Sequence, residues 1–311
     1  MMRDVHPTHP SLRVDLPSLP AWWLLIKETI TAWLADYAPS MGAALSYYTV
    51  FSMAPTLLIV ISVAGLVFGA DAVRGEILGQ LSYLMGPAAA GTVQQVLASM
   101  HQPSHGVAGT LIGVALVLAG ATSVFGELQN ALDRIWHASA REASGLFSLV
   151  RARLVSFGMI LGIAFLLIVS LVLSAAISAL GKWWAGAFGR WELLAQTVNA
   201  LVGFAITMGS FAAIYRMIPR VAIRWSDVWL GAAVTSLMFT VGRLLIGIYI
   251  GKTGIASVFG AAGSLVVVFV WVYYSAQIFL LGAEFTRVYA LNYGSLRGSE
   301  EDRGPAPVRR P

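Results

Sequence analysis

The chain has no cysteine, and only 11% of its 311 residues are charged. The first absence excludes disulfides, thiolate metal sites and cysteine nucleophiles together. The second is harder to reconcile with water. A soluble domain carries about 25% charged residues, and a surface built from far fewer exposes large apolar patches. Intrinsic disorder needs the opposite balance. The first 20 residues hold Arg3, Asp4, Arg13 and Asp15 among four prolines. They lack an apolar core of about 7–15 residues, so no cleavable signal peptide is expected. No tandem repeat, glycine-rich phosphate loop or alternating ten-residue strand pattern of a membrane barrel is present.

What is present is long apolar sequence. The chain is 58% hydrophobic. Stretches free of Asp, Glu, Lys and Arg run over 37–70, 107–126, 154–181, 193–215 and 253–283, and a sixth, 228–251, is broken only by Arg243. About 20 such residues cross the hydrocarbon core as a helix, and a helix satisfies its own backbone in lipid. The expected fold is therefore an all-α membrane protein with six transmembrane helices. Fifteen of the 20 Lys and Arg residues fall at the N-terminus, the second and fourth loops and the C-terminus. Four, Arg74, Lys182, Arg190 and Lys252, fall on the opposite side, and Arg243 lies between. The positive-inside rule then puts both termini in the cytoplasm. It also reads the basic pI of about 9.6 as topology and lipid headgroups, not as a nucleic-acid patch.

Outside the spans, residues 1–20 and 292–311 are expected to be disordered tails around a single membrane domain, 21–291. Residues 21–38 form an expected amphipathic helix, with Trp22, Trp23, Ile26, Ile30, Trp33, Leu34 and Tyr37 on the apolar face. Its tryptophans suit the headgroup boundary, and packing onto the bundle is compatible with that position. Between the first and second spans, Ile77, Leu78, Leu81, Leu84 and Met85, then Val93, Val96, Leu97 and Met100, predict two short external helices. Trp183, Trp184 and Trp191 suit an interfacial belt.

Ionisable residues at membrane depth carry the functional signal. Arg243 leaves 15 uncharged residues before it and eight after it in its segment, so neither part spans alone. An arginine at such depth needs water or a partner. Glu284 and Glu127 flank the cytoplasmic ends of two spans, within reach of Arg216 or Arg287. Pro55 is expected to kink or unwind the first span, among Ser46, Tyr47, Tyr48, Thr49, Ser52 and Thr56. A hydroxyl-rich broken helix lines a polar cavity. Substrate-path candidates are thus Arg243, Glu284, Glu127, Tyr47, Ser52 and Pro55, with structural pairing as the alternative for the charged ones. Gly251, Gly254, Gly260 and Gly263 suit either a broken stretch before a helix from about Ser264 or close helix packing. His101 and His105 are separated by Pro103, and His137 stands beside Trp136; none suggests a site. No catalytic residue, metal ligand or cofactor is expected, and the chain does not read as an enzyme.

Four ordered motifs complete the picture. Residues 44–55 (ALSYYTVFSMAP), 125–136 (FGELQNALDRIW), the run from Tyr215 to Pro219 with Trp225, Asp227, Gly231 and Ala232, and 271–284 (WVYYSAQIFLLGAE) together resemble the YihY/BrkB family of bacterial inner-membrane proteins. The resemblance runs from about residue 25 to 290. It implies six helices in the bacterial inner membrane. The family's old ribonuclease BN label is at odds with the few, scattered Asp, Glu and His residues of this chain. Links of other members to serum resistance and to lipid or lipopolysaccharide export imply a transporter or flippase-like protein for an anionic envelope lipid or amphiphile. A non-transporting membrane scaffold or assembly factor is the alternative. Expected partners are membrane lipids, such an amphiphile, and a second copy in a homo-oligomer; nucleic acid is not expected.

Overall fold

A computed structural model describes residues 19–85, 87–100, 123–138, 191–221, 223–253 and 263–297. Among the described residues there are eight helices and no strand. They are α1 (Leu19–Ala35), α2 (Ala38–Phe68), α3 (Ala70–Met85), α4 (Pro87–Met100), α5 (123–135), α6 (Trp191–Met217), α7 (Trp225–Thr253) and α8 (Gly263–Asn292).

Among the described residues, three segments have the length and composition to cross a membrane: Ala200–Met217, Trp225–Ile250 and Leu265–Asn292. They correspond to the last three of the six expected spans. The first expected span is the 31-residue α2. The expected third span, 154–181, and residues 107–122 of the second lie outside the described residues, as do His101, His105, Trp183 and Trp184. The chain's outward face is apolar here, with Leu201, Leu237, Leu244, Leu245 and Ile248 all exposed on α6 and α7. Such a surface suits hydrocarbon. Helix α8 begins at Gly263, close to the expected start, but continues past Ala283 to Asn292. Glu284 is therefore about two turns inside the helix, not at its end.

Helix α8 is the axis, packed against α7, α2, α1 and α4, while α6 packs on α7 and reaches α8 through Phe211 and Tyr215. Lipid tails are as apolar as leucine, so helices in a bilayer are joined by close fit and hydrogen bonds. The α7–α8 pair shows this fit reciprocally. Gly231 of α7 faces Thr286 of α8, and Gly282 of α8 faces Thr235 of α7, so closely that a Cβ at either glycine would collide with the threonine. Each threonine hydroxyl donates to the carbonyl of the glycine one turn earlier on its own helix, at 2.7 Å. Thus neither seam threonine leaves its hydroxyl unpaired, whereas the buried Ser236 hydroxyl beside Thr235 has no partner. Tyr215 of α6 adds a cross-helix bond, its hydroxyl donating to the Phe279 carbonyl of α8 at 2.7 Å.

The opposite half is held differently. Ile61, Val93, Leu97, Val267, Val268 and Val272 form its core, with Val73, Ile77 and Leu81 of α3 packed against it. Helices α3 and α4 are thus the two helices expected between the first two spans. Gly69, at φ 86°, ends α2 in a conformation that favours glycine.

Two expectations about local structure change. Helix α2 runs without a break through Pro55 from Ala38 to Phe68, so it is not unwound there. Ser46 and Ser52 turn inward, but their hydroxyls donate to Ala43 and Thr49 carbonyls of the same helix, at 2.9 and 3.2 Å. These back-bonds occupy the groups that a polar cavity would need. In α1, the expected single apolar face divides. Leu25 and Thr29 are buried, Trp22 stacks on Phe285, and Trp33 packs into the core, while Trp23, Ile26, Ile30, Leu34 and Tyr37 remain exposed. One edge of the helix docks on α8, and the neighbouring apolar stripe stays open.

Candidate functional site

One end of the bundle gathers segments that are far apart in sequence. Four contacts define it. His137, just after α5, places Nε2 3.3 Å from Oδ1 of Asp36, the residue between α1 and α2. Its Nδ1 is 2.9 Å from an Arg287 nitrogen on α8. Arg287 is 3.9 Å from Glu284 one turn earlier. Asp36 and Glu284, both carboxyls, are thus linked through His137 and Arg287, and the Gln277 amide of the same helix fastens Pro39 beside them. Since a guanidinium only donates, His137 Nδ1 accepts, and the imidazole carries its proton on Nε2, which donates to Asp36.

The local folding that aims these groups is unusual. Among the described residues, Tyr37 (φ 58°) and His137 (φ 46°) are the non-glycine residues with positive φ. Both belong to this site. After α5, the His137 N–H reaches the Arg134 carbonyl at 3.0 Å and the Ala138 N–H reaches the Asp133 carbonyl at 2.8 Å. That pair is the six-to-one and five-to-two pattern that ends helices on a left-handed residue. Glycine usually fills the position; here histidine fills it, and its ring is thrown toward Asp36. Tyr37 sits at the start of α2, with Pro39 in the first turn, where the missing N–H costs nothing. The Arg134 guanidinium covers the Tyr37 ring at 5.2 Å, tying the two strained corners together. Left-handed non-glycine residues each cost on the order of 1 kcal/mol and persist when the surroundings over-determine them.

Glu284 is the most anomalous member. Its side chain has no solvent exposure, and neither carboxyl oxygen has a hydrogen-bond partner. Arg287, at 3.9 Å, stands too far away for a hydrogen bond. Two turns earlier on the same face of α8, Gln277 donates to the Pro39 carbonyl at 3.2 Å and leaves its own oxygen unpartnered. Trp33 and Trp136 each keep a buried indole N–H without a partner.

Around this group, further contacts fasten the same end. Gln129 donates to the Ile218 carbonyl at 3.3 Å, and the Arg220 N–H donates to Asp133 at 2.8 Å. Burial pushes the Asp133 carboxyl above the ordinary carboxylate range, and Arg220 pulls it partly back through its N–H and its charge. Asp227, buried in the first turn of α7, accepts from both the N–H and the hydroxyl of Ser295, at 3.0 and 2.5 Å. Residues 293–297, inside the stretch expected to be a tail, are therefore a fastened turn. Asn292 also donates to Glu28 of α1 at 2.7 Å.

The sequence-derived candidates are not brought together. Glu284 joins Arg287 as expected. Glu127 is half-buried on α5 and is in none of the ion pairs found among the described residues, so its expected meeting with Arg216 or Arg287 does not occur. Tyr47 points outward, with its ring edge-on to Tyr48. Ser52 is spent on its own helix, and Pro55 lies within the same unbroken helix. Arg243 is half-buried on α7, next to the exposed Leu244 and Leu245 and one residue beyond Gly242, which packs against Tyr274 and Ile278. Sequence reasoning missed Asp36 and His137. The available signal was Asp36 as the lone carboxylate between Glu28 and Asp71, heading a charge-free span.

Apolar spanning helices, a lipid-compatible flank and one polar end define a multi-span α-helical membrane protein. The sequence profile of virulence factor BrkB matches residues 29–307. The chain belongs to that family. It is similar to UPF0761 membrane proteins: 28% identical to one from Ralstonia nicotianae, over 80% of this chain and 54% of the relative. Another, from Tolumonas auensis, is 26% identical over 57% of this chain and 56% of the relative. A third, from Pseudomonas paraeruginosa, is 25% identical over 88% and 64%. The chain thus spans about half to two thirds of the length of these relatives. No solved structure matches.

Proposed function

We propose that the protein is a non-enzymatic, transporter or flippase-like protein of the bacterial inner membrane, acting on an anionic lipid or amphiphile. In this reading the polar end and both termini face the cytoplasm. The observation that carries it is Arg243, a half-buried guanidinium within the spanning segment of α7, at the border between the packed face and exposed leucines. A cation at the rim of a helix bundle meets phosphate or carboxylate headgroups at a depth that lipids reach only while crossing or bending inward. The links of other members of the family to envelope-lipid export, implied by the resemblance, support the same direction. Exposed Trp23, Ile26, Ile30 and Leu34 on α1 give the protein a stripe that lies in the headgroup boundary.

The tight α7–α8 seam favours a second reading, a membrane scaffold that moves nothing. Vesicles containing the purified protein and a fluorescent phosphatidylglycerol separate the two. Inner-leaflet label should become accessible to a membrane-impermeant quencher faster than in protein-free vesicles. Arg243→Ala should slow that exchange about tenfold, the loss of one charge-assisted contact, and Arg243→Lys should retain most of it. Exchange no faster than in empty vesicles would reject lipid movement.

A further inference from the structure

We infer that Asp36 and Glu284, framed by His137 and Arg287, form a proton-binding site that joins the α1–α2 corner to α8. The inference is independent of any lipid substrate. Its starting point is a carboxyl that no donor reaches. Glu284 is fully buried, both its oxygens lack hydrogen bonds, and a second carboxyl, Asp36, is joined to it through His137 and Arg287. A buried carboxylate without donors gains nothing from its charge. A proton on Glu284 removes that cost, and Asp36, at the open end of the same chain of contacts, is the partner with which it is exchanged.

Among the described residues, no other charge takes that role. Helix α2 carries no Asp, Glu, Lys or Arg. On α7, Asp227 is engaged by Ser295 and Ser226. On α5, Asp133 is held by Arg220, and Arg134 lies over Tyr37. On α1, Glu28 accepts from Asn292. From α6, Tyr215 is bonded to the Phe279 carbonyl, and Arg216 is in none of the ion pairs found among the described residues. On α8 itself, Arg287 leans toward His137, at 2.9 Å against 3.9 Å to Glu284.

That asymmetry gives the site two arrangements. With the proton in place, Glu284 is neutral, Arg287 stays with His137 Nδ1, and His137 Nε2–H holds Asp36. When the proton passes to water, Glu284 becomes a buried carboxylate beside a guanidinium, and Arg287 closes on it. His137 then loses its donor on Nδ1, and the corner at Tyr37 keeps only the Gln277–Pro39 tie to α8. Asp36 is the route of exchange, since its side chain keeps 16% exposure while Glu284 has none.

Infrared difference spectroscopy of the full chain in lipid nanodiscs, between acidic and alkaline buffer, reads the proton without any substrate. The wild type should lose a protonated-carboxyl band as the pH rises. Glu284→Gln should abolish that loss. Asp36→Asn should abolish it or move its midpoint, and His137→Gln should move the midpoint by about one pH unit through the changed neighbour. Glu284→Gln is nearly isosteric; Asp36→Asn, on the more open partner, reads the same pair if the first variant does not fold. A band missing from the wild type, or unchanged in both carboxyl variants, would overturn the site. Absence of lipid movement would not, and a missing band would leave the lipid reading standing.

Discussion

The two ends of the bundle are built by different means. At the charged end, α1, the end of α5, the turn after α6, the start of α7 and the end of α8 are joined by directional contacts: His137 to Asp36 and Arg287, Asp133 to Arg220, Asp227 to Ser295 and Asn292 to Glu28. At the other end, α3 and α4 rest on α2 and α8 through Ile61, Val93, Leu97 and Val267. Apolar contacts there set position by shape alone. Polar contacts fix angle as well, and the two left-handed corners show what that precision costs. A segment held by shape can slide; one held by several donors at fixed distances releases all at once or stays.

Substitutions should separate these two modes, and the largest effect belongs to the seam beside the charged end. Gly282→Ala or Gly231→Ala drives a methyl into a buried threonine whose hydroxyl is bonded to its own helix, at a cost of about 3 kcal/mol. Thermal unfolding in detergent should show a large drop or no folded peak. In the apolar half, Leu97→Ala should cost about 2 kcal/mol as a cavity. Its amide-exchange change should spread through α3 and α4 and ignore salt and pH. Asp227→Ala leaves the Ser295 donors without their acceptor, about 1.5 kcal/mol. Exchange should rise sharply in residues 293–297 and little elsewhere, and a spread into α4 would erase the contrast between the ends.

The smallest expected effect is a slope. The Asp133 carboxyl is raised in the folded chain by burial. A group raised in this way favours the fold while protonated, so its contribution is complete below the ordinary carboxylate value of about 4 and is lost as pH rises through the raised one. Melting followed across that window should fall slightly with rising pH. Asp133→Asn should flatten that part of the curve.

Much of this contrast was legible in the residues. Span counting locates α2, α6, α7 and α8, and hydrophobic periodicity finds α3 and α4. What it cannot do is choose a helix face. Trp22 docks on Phe285 while Trp23 stays outside, because protein interior and lipid reward the same side chains. Glu284 stands out in sequence as a carboxylate in an apolar run. His137 does not, since its importance arises from contacts 101 and 150 residues away and from a backbone corner that glycine normally fills. Arg243 remains the charge that span counting singles out, and it falls within the apolar stretch Trp225–Ile250 of α7.

The absence of cysteine makes the sidedness of the two ends directly measurable. Single cysteines at exposed positions, Asn130 and Arg224 at the charged end and Gly75 and Gln94 at the apolar end, can be offered a membrane-impermeant maleimide. In right-side-out spheroplasts only positions 75 and 94 should label, and in inverted vesicles only 130 and 224. Labelling of 130 or 224 from outside the cell, or of both pairs from one side, would contradict a charged cytoplasmic end opposed to an apolar outer one.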